Sequence, residues 1–425
     1  MSRLSLYQYG ILALPLAFAG LPLYLHIPDL YATQFGMSLA TIGILLLAIR
    51  LFDAFQDPII GFLTSRLTSN KSILSSIMLS MLIMLAASMY LLISPQEFLP
   101  TYIWFAIFML LCTTAYSTLN IVYQSLGAIW CKDYHQRTKI TTTREAIGLI
   151  GITLAAILPT LLAEKYGVQE AFKIFAIIFV ALIAFVALIW LPWLKKVSFE
   201  SLPKSKTGSL SFLKFKATRP LFIIWFLSQL SAAIPVVLVI FFVRDNLELE
   251  NLLGAYLLIY FVSGALGMPL WRYIEKIKTK QFAWQSAMFL AIASFIWAYF
   301  LEAGDMYEYG LVCVFSGLAL GAELGIPPSI LADTISREKE DAAAAKYFGI
   351  STFLGKFALA TASGLVLPII AYWGYSPNSE NSTEALHALA ISYSLIPCAI
   401  KLMPAISLSF IKLEGEQNEK NKESN

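Results

Sequence analysis

The sequence predicts an all-α integral membrane protein of twelve transmembrane helices in two six-helix halves. Three observations carry that prediction. Hydrophobic residues make up 58% of the 425 and charged residues only 13%, with a mean hydropathy of +0.71, which excludes an ordinary soluble protein. Apolar runs recur along the whole chain between short polar loops, and a spanning helix needs about 20 such residues. Lys and Arg gather in alternate loops, the asymmetry that marks the cytoplasmic side of a membrane.

The spans follow in order. The first, 7–27, is interrupted by Gly10, Pro15, Gly20 and Pro22, and the second, 38–64, carries Arg50, Asp53, Gln56 and Asp57 in otherwise apolar surroundings. The third, 72–93, carries no charged residue, and the fourth, 101–129, bears a stripe of hydroxyls and amides. The fifth (141–163) and sixth (170–194) complete an N-terminal half over residues 1–194. A Lys-, Ser- and Pro-containing stretch, 195–218, has the composition of a solvated linker and no room for a domain. Spans at 219–243, 252–271, 282–301, 309–331, 342–371 and 384–411 build a C-terminal half over 219–411. Gly317, Gly321, Gly325, Pro327 and Pro328 are expected to interrupt the tenth, and the charged tail, 412–425, is expected to be disordered. A faint echo joins the halves: Pro58-Ile-Ile-Gly61 leads to Arg66 and Lys71, as Gly267-Met-Pro269 leads to Arg272 and Lys276.

Basic residues follow spans two, four, six, eight and ten, whereas the loops 28–37, 94–100, 302–308 and 372–383 contain no Lys or Arg; Lys165 and Arg244 are the exceptions. Both termini are therefore expected in the cytoplasm, as an even number of spans requires. Ala17-Phe18-Ala19 has the look of a signal-peptide cleavage site, but cutting there would leave an odd span count at odds with the loop charges, so retention is expected. Cys112, Cys131, Cys313 and Cys398 have neither metal nor disulfide spacing, and His26, His135 and His387 are scattered. No nucleophile–base arrangement, metal triad or phosphate loop points to an enzyme, no soluble output domain points to a receptor, and no cofactor or nucleic-acid partner is indicated.

The chemistry concentrates in three places. On span two, Arg50, Asp53 and Asp57 fall at i, i+3 and i+7 and share a helix face, with Gln56 at its edge. Counting from Ser38 at about 1.5 Å per residue puts Asp53 roughly 22 Å and Asp57 roughly 28 Å into the span. Carboxylates at such depth are costly and functional by default, and two this close resist ionising together, so Na+ or H+ is the expected occupant. On span four, Thr113, Ser117, Asn120 and Gln124 fall at i, i+4, i+7 and i+11, flanked by Tyr116 and Tyr123. Such a stripe can complete a cation's coordination at one end and hydrogen-bond a solute at the other, or join helices to one another. Lys356 lies about fourteen residues into span eleven, near the midplane at about 1.5 Å per residue, with Thr352 and Ser363 on its face. A lysine there needs a carboxylate partner, and the acid pair is the natural candidate; Lys401 suits snorkelling to an interface better.

Tyr9-Gly10, the segment Arg50-Leu-Phe-Asp53-Ala-Phe-Gln56-Asp57-Pro58-Ile-Ile-Gly61, Leu331-Ala-Asp333-Thr334 and Lys356 together resemble the glycoside–pentoside–hexuronide:cation symporters, the melibiose-permease-like branch of the major facilitator superfamily. The resemblance covers nearly the whole chain and implies the major facilitator fold, with a solute site between the halves. It implies a cation site at Asp53, Gln56, Asp57 and the helix-four hydroxyl Ser117. The family's sugar-side acid on helix four falls on Asn120, and its sugar-side arginine opening helix five falls on Arg144. Three positions depart: the acid expected on span one is Ala17, the helix-four acid is Asn120 and the helix-four aromatic is Gln124, so both sugar-gripping carboxylates are missing.

The expected function is a cation-coupled (Na+ or H+) symporter moving a small polar solute, a sugar or glycoside, by alternating access. Asp53, Gln56, Asp57 and Ser117 hold the ion in that expectation. Asn120, Gln124, Arg144 and Thr352 line the solute site, and Arg50 and Lys356 supply countercharge. A monomer in a bacterial inner membrane, in contact with lipid, is the expected setting. A carrier of a lysophospholipid or other amphiphile with the same cation site is the alternative, since related eukaryotic branches with a similar acid pair carry lysophospholipids.

Overall fold

The computed structural model describes residues 3–24, 27, 30–31, 34–67, 70–95, 99–131, 133–197, 218–338, 340–376 and 381–410. Most of the expected linker, 198–217, and the expected tail, 412–425, lie outside the described residues. Among the described residues the structure is helical throughout, without a strand. Its helices are α1 (Arg3–Gly10), α2 (Ala13–Tyr24), α3 (Leu39–Leu67), α4 (Lys71–Ile93), α5 (Thr101–Trp130), α6 (Tyr134–Tyr166) and α7 (Val168–Lys196). There follow α8 (Thr218–Phe241), with a π-helical turn at Phe242–Asn246, then α9 (Leu253–Ile277), α10 (Lys280–Ala298), α11 (Met306–Arg337), α12 (Ala344–Tyr372) and α13 (Thr383–Phe410).

Ten described helices, α4 to α13, are long and apolar enough to cross a membrane. The other two expected spans differ for physical reasons. α3 has the length, 29 residues, but carries Arg50, Asp53 and Asp57. The first span is broken into α1 and α2 at Ile11–Leu12, just after Gly10. Helices also outrun their apolar cores. α6 begins at Tyr134, ahead of the expected 141, because Asp133 caps it by accepting from the Gln136 N–H at 2.7 Å. Asn70 caps α4 and Thr279 caps α10 in the same way.

The chain divides into two compact units. The first comprises residues 1–209 together with 335–353, and the second comprises 210–334 and 354–425. In the first unit α2 packs on α6, α4 on α5 and α7, and α3 on α5. Phe18 stacks on Phe175 at 4.7 Å in its core. The break between α1 and α2 exposes backbone carbonyls that lipid cannot satisfy. Tyr123 of α5 satisfies them, its hydroxyl lying 3.0 Å from the Tyr9 oxygen and 3.1 Å from the Gly10 oxygen. The Tyr9 hydroxyl returns the bond to the Tyr123 carbonyl at 2.9 Å.

In the first unit, too, the opening of α12 crosses α3 backbone to backbone. A Cβ on Gly349 would lie 2.6 Å from the Asp57 carbonyl oxygen, and one on Gly61 would lie 3.2 Å from the Lys346 Cα. Phe55 meets Phe353 and Lys346 sits over Phe62 along the same crossing.

In the second unit α13 packs between α8 and α10. Phe242 stacks on Tyr393 at 4.1 Å, and Tyr309 shares a hydrogen bond with Tyr393 at 2.8 Å. α11 is not interrupted by its glycines and prolines, as the sequence suggested, but runs continuously from Met306 to Arg337. The small residues serve packing instead: Gly321 approaches the backbone of Gly264 and Met268 on α9.

Large apolar side chains lie exposed along the helices, among them Ile44, Ile83, Leu188 and Leu266, as expected of surfaces that meet acyl chains. Arg244, an exception to the loop-charge pattern, is neutralised locally. Its guanidinium holds Asp245 through two bonds of 2.7 and 2.9 Å, and the Tyr375 hydroxyl donates to the same carboxylate. Burial, and then that bond, push the Tyr375 hydroxyl up, so it stays a donor at neutral pH.

Candidate functional site: a carboxylate cluster on α3 and α5

α3 turns Asp53, Gln56 and Asp57 inward, Asp57 being fully buried and Asp53 2% exposed. Arg50, expected on the same face, is exposed. The Asp53 Oδ1 accepts from Gln56 Nε2 and from the Ser117 hydroxyl, both at 2.8 Å. The Gln56 Oε1 in turn accepts from the Thr114 hydroxyl at 3.0 Å. Two helices thus contribute a carboxylate, an amide and two hydroxyls to one cluster, with the buried Asp57 one turn along α3. Ser117 is where the sequence placed it. Thr114 was missed, although it lies three residues before Ser117 and shares its face; Thr113, which belonged to the expected stripe, instead bonds back to the Leu110 carbonyl.

Every potential ligand in the cluster is oxygen: carboxylate, amide carbonyl and hydroxyl. That set suits a hard monovalent cation, and either carboxylate can also take a proton. Gln56 and Ser117 are adaptable members, since each can present a donor to Asp53 or an oxygen to an ion.

The expected solute residues divide. Asn120 and Gln124 are half-buried one turn apart on α5, and Gln124 Nε2 donates to Asn120 Oδ1 at 3.0 Å. Arg144, on α6, is buried and bonds Glu145 through Nε at 2.8 Å and through Nη2. Its guanidinium carbon lies 5.9 Å from the centroid of the Tyr123 ring. Thr352 bonds back to the Phe348 carbonyl at 2.9 Å, within the part of α12 that belongs to the first unit. Lys356 is half-buried and belongs to the second unit. Ala17, where an acid was expected, is packed into a helix crossing. It faces Gly148 and Gly151 of α6, where added Cβ atoms would lie 3.7 and 3.2 Å from its own.

The second unit holds a charge pair that sequence reasoning missed. Glu323 of α11 binds the ammonium of Lys401 on α13, both side chains under 10% exposed, with the Ser228 hydroxyl 3.5 Å from the carboxylate. Lys401 therefore does not snorkel to an interface: an intramembrane acid lies close enough to hold it inside. Glu323 was legible by the same rule that singled out Asp53, as a lone carboxylate in an apolar span. Asp333, part of the motif Leu331-Ala-Asp333-Thr334, accepts from Lys280 at 2.5 Å.

With this geometry in view, comparisons with known proteins converge. The sequence profile of the family described as MFS/sugar transport protein matches residues 6–415. The uncharacterized symporter YjmB of Bacillus subtilis (strain 168) is 23% identical over 410 residues, covering 90% of this chain and 86% of its own. A solved bacterial homologue of the iron transporter ferroportin, in an outward-facing state, superposes with a TM-score of 0.74 at 12% identity, covering 96% of this chain and all of its own. The fucose:proton symporter of E. coli does so with a TM-score of 0.68 at 14% identity over 95% of this chain and 98% of its own. At these identities the structural matches establish the fold.

Proposed function

Because the chain belongs to the MFS/sugar transport protein family, and is thus an integral membrane transporter of a sugar-like solute and not an enzyme, we propose that it is a cation-coupled symporter working by alternating access. The observation that carries the proposal is the buried cluster in which Asp53 is held by Gln56 and Ser117 from two helices, with Asp57 one turn away. Intramembrane carboxylates with a hard-oxygen environment are expected to bind a coupling ion, Na+ or H+. In this reading Asp53, Asp57, Gln56, Ser117 and Thr114 hold the ion, and Asn120, Gln124 and Arg144 contact the solute. Arg50 and Lys356 offset the carboxylate charge when the ion leaves. Twelve spans, with both termini on the cytoplasmic side of a bacterial inner membrane, and a monomeric working unit belong to the same proposal.

Coupling follows from linkage. If ion occupancy orders the α3–α5 cluster and raises solute affinity by some factor, solute raises ion affinity by the same factor. A thermal-shift screen of the purified protein against sugars, amino acids and lysolipids, with and without sodium and across pH, tests this. The expected result is a sugar whose stabilisation depends on the ion. Asp57→Cys should leave the protein in the membrane and remove ion-stimulated uptake; undiminished stimulation would take Asp57 out of the site.

A further inference from the structure

Glu145 has no part in the function described so far, yet it is an acid within a membrane-spanning helix. Ile150, Leu154 and Leu161 mark the lipid side of α6, being 51%, 47% and 57% exposed. At about 100° per residue, Glu145 stands roughly 160° round the helix from the centre of that stripe. Its side chain is nonetheless 25% exposed, while Arg144 beside it is 5% exposed. Its exposure thus lies on the side of α6 away from the lipid-facing stripe. Arg144 engages only the Oε1 of Glu145. Among the described residues, Glu145 Oε2, Asn120 Nδ2 and Gln124 Oε1 have no hydrogen-bond partner, so two acceptors and a donor have open valence. Tyr116, Asn120 and Tyr123 share one face of α5. Tyr123 lies under Arg144, and Tyr116 stands within electrostatic reach of Glu145, Asp53 and Asp57 alike.

We propose that Glu145 is a solute-contacting residue and that the Arg144–Glu145 pair selects an uncharged polyhydroxylated ring over an anionic one. This rests on the reading of the solute as sugar-like. A sugar hydroxyl both donates and accepts, so neighbouring hydroxyls can give a proton to Glu145 and accept from Arg144 or Asn120, each a charge-assisted or amide bond. The half-buried Tyr116 offers an apolar face to such a ring. An anionic solute meets a guanidinium already neutralised and a carboxylate that repels it.

The test is a thermal-shift titration of the purified full-length protein with methyl β-D-glucopyranoside, methyl β-D-galactopyranoside and D-xylose as neutral probes and D-glucuronate as the anionic one, in sodium. Wild type should respond to a neutral probe. Glu145→Gln should weaken that response by about tenfold, the worth of one charge-assisted bond, and strengthen the response to D-glucuronate, with the sodium-induced shift unchanged. Equal affinity of wild type and Glu145→Gln for the neutral probe, or a wild-type preference for D-glucuronate, overturns the selection while leaving a sugar transporter in place. No response of wild type to any of the sugars overturns the sugar reading and this one together. Should Glu145→Gln not fold, labelling of wild type with a water-soluble carbodiimide decides. Glu145 must react and be protected by the neutral probe, and an unreactive Glu145 overturns the proposal.

Discussion

Ser117 donates its hydroxyl proton to the Oδ1 of Asp53 across two helices and 64 positions of sequence, at 2.8 Å. The same oxygen accepts from Gln56, so the carboxylate is oriented from both its own helix and its neighbour. Removing the hydroxyl in Ser117→Ala deletes a bond to a charged group, worth about 1.5–3 kcal/mol when its partner is left buried. Ion affinity should fall about tenfold or more, read as a rightward shift of the sodium or proton titration of thermal stability. Thr114→Val, which loses only the bond to the Gln56 amide, should shift it less. Equal effects would show that the Thr114–Gln56 bond matters to the ion as much as the Ser117–Asp53 bond does, against the reading that Asp53 is the principal ligand.

Glu323→Gln or Lys401→Met, made singly, strands one buried charge of the pair between α11 and α13. Breaking a buried pair costs about 3–5 kcal/mol, whereas replacing both partners with apolar groups of similar size is often neutral. Each single variant should therefore unfold at clearly lower temperature in detergent, and Glu323→Leu with Lys401→Met should recover most of the loss. A double variant as unstable as the sum of the singles would show that the two side chains do not act as a pair.

Helical spans, alternating loop charge and the acid pair were legible because each is written in local composition. Helix ends nonetheless moved by up to nearly two turns, as at α6, which the Asp133 cap starts at Tyr134 ahead of the expected 141, and at α11, which runs on to Arg337 beyond the expected 331. What could not be read was distance across helices. The stripe on α5 identified Ser117 but not Thr114, since only the rotation of α5 against α3 decides which hydroxyl reaches Gln56. The arginine at 144 was visible, and its partner was its own neighbour in sequence, yet i,i+1 residues on a helix usually diverge. Ala17 read as a missing acid, and only the α2–α6 crossing shows that it faces the glycines Gly148 and Gly151.

Tyr123→Phe tests the repair of the broken first span. The ring would remain beside Tyr9, whose centroid is 4.6 Å away, and only the hydroxyl shared by the Tyr9 and Gly10 carbonyls would go. Leaving buried acceptors unsatisfied costs about 1–3 kcal/mol. The variant should unfold at lower temperature, and backbone amide exchange at Ile11 and Leu12 should rise before that of α5. Unchanged exchange there would mean that the break is held by packing alone.

Gly349→Ala places a methyl group where the Asp57 carbonyl oxygen would be 2.6 Å from it, closer than real Cβ atoms come. The neighbouring atom is backbone of a buried helix, so α12 must lift from α3 at the level of the acid pair. Overpacking of this kind costs about 1–3 kcal/mol. Because the strain is released only if the two helices part, the variant should favour whichever transport conformation separates them. A cysteine at position 345, beside Gly61, should then react faster with a water-soluble maleimide in the Gly349→Ala background than in wild type, with ion affinity altered in the same samples. Labelling at an unchanged rate, in a protein of lowered thermal stability, would mean that the crossing is a static packing contact and does not open during transport.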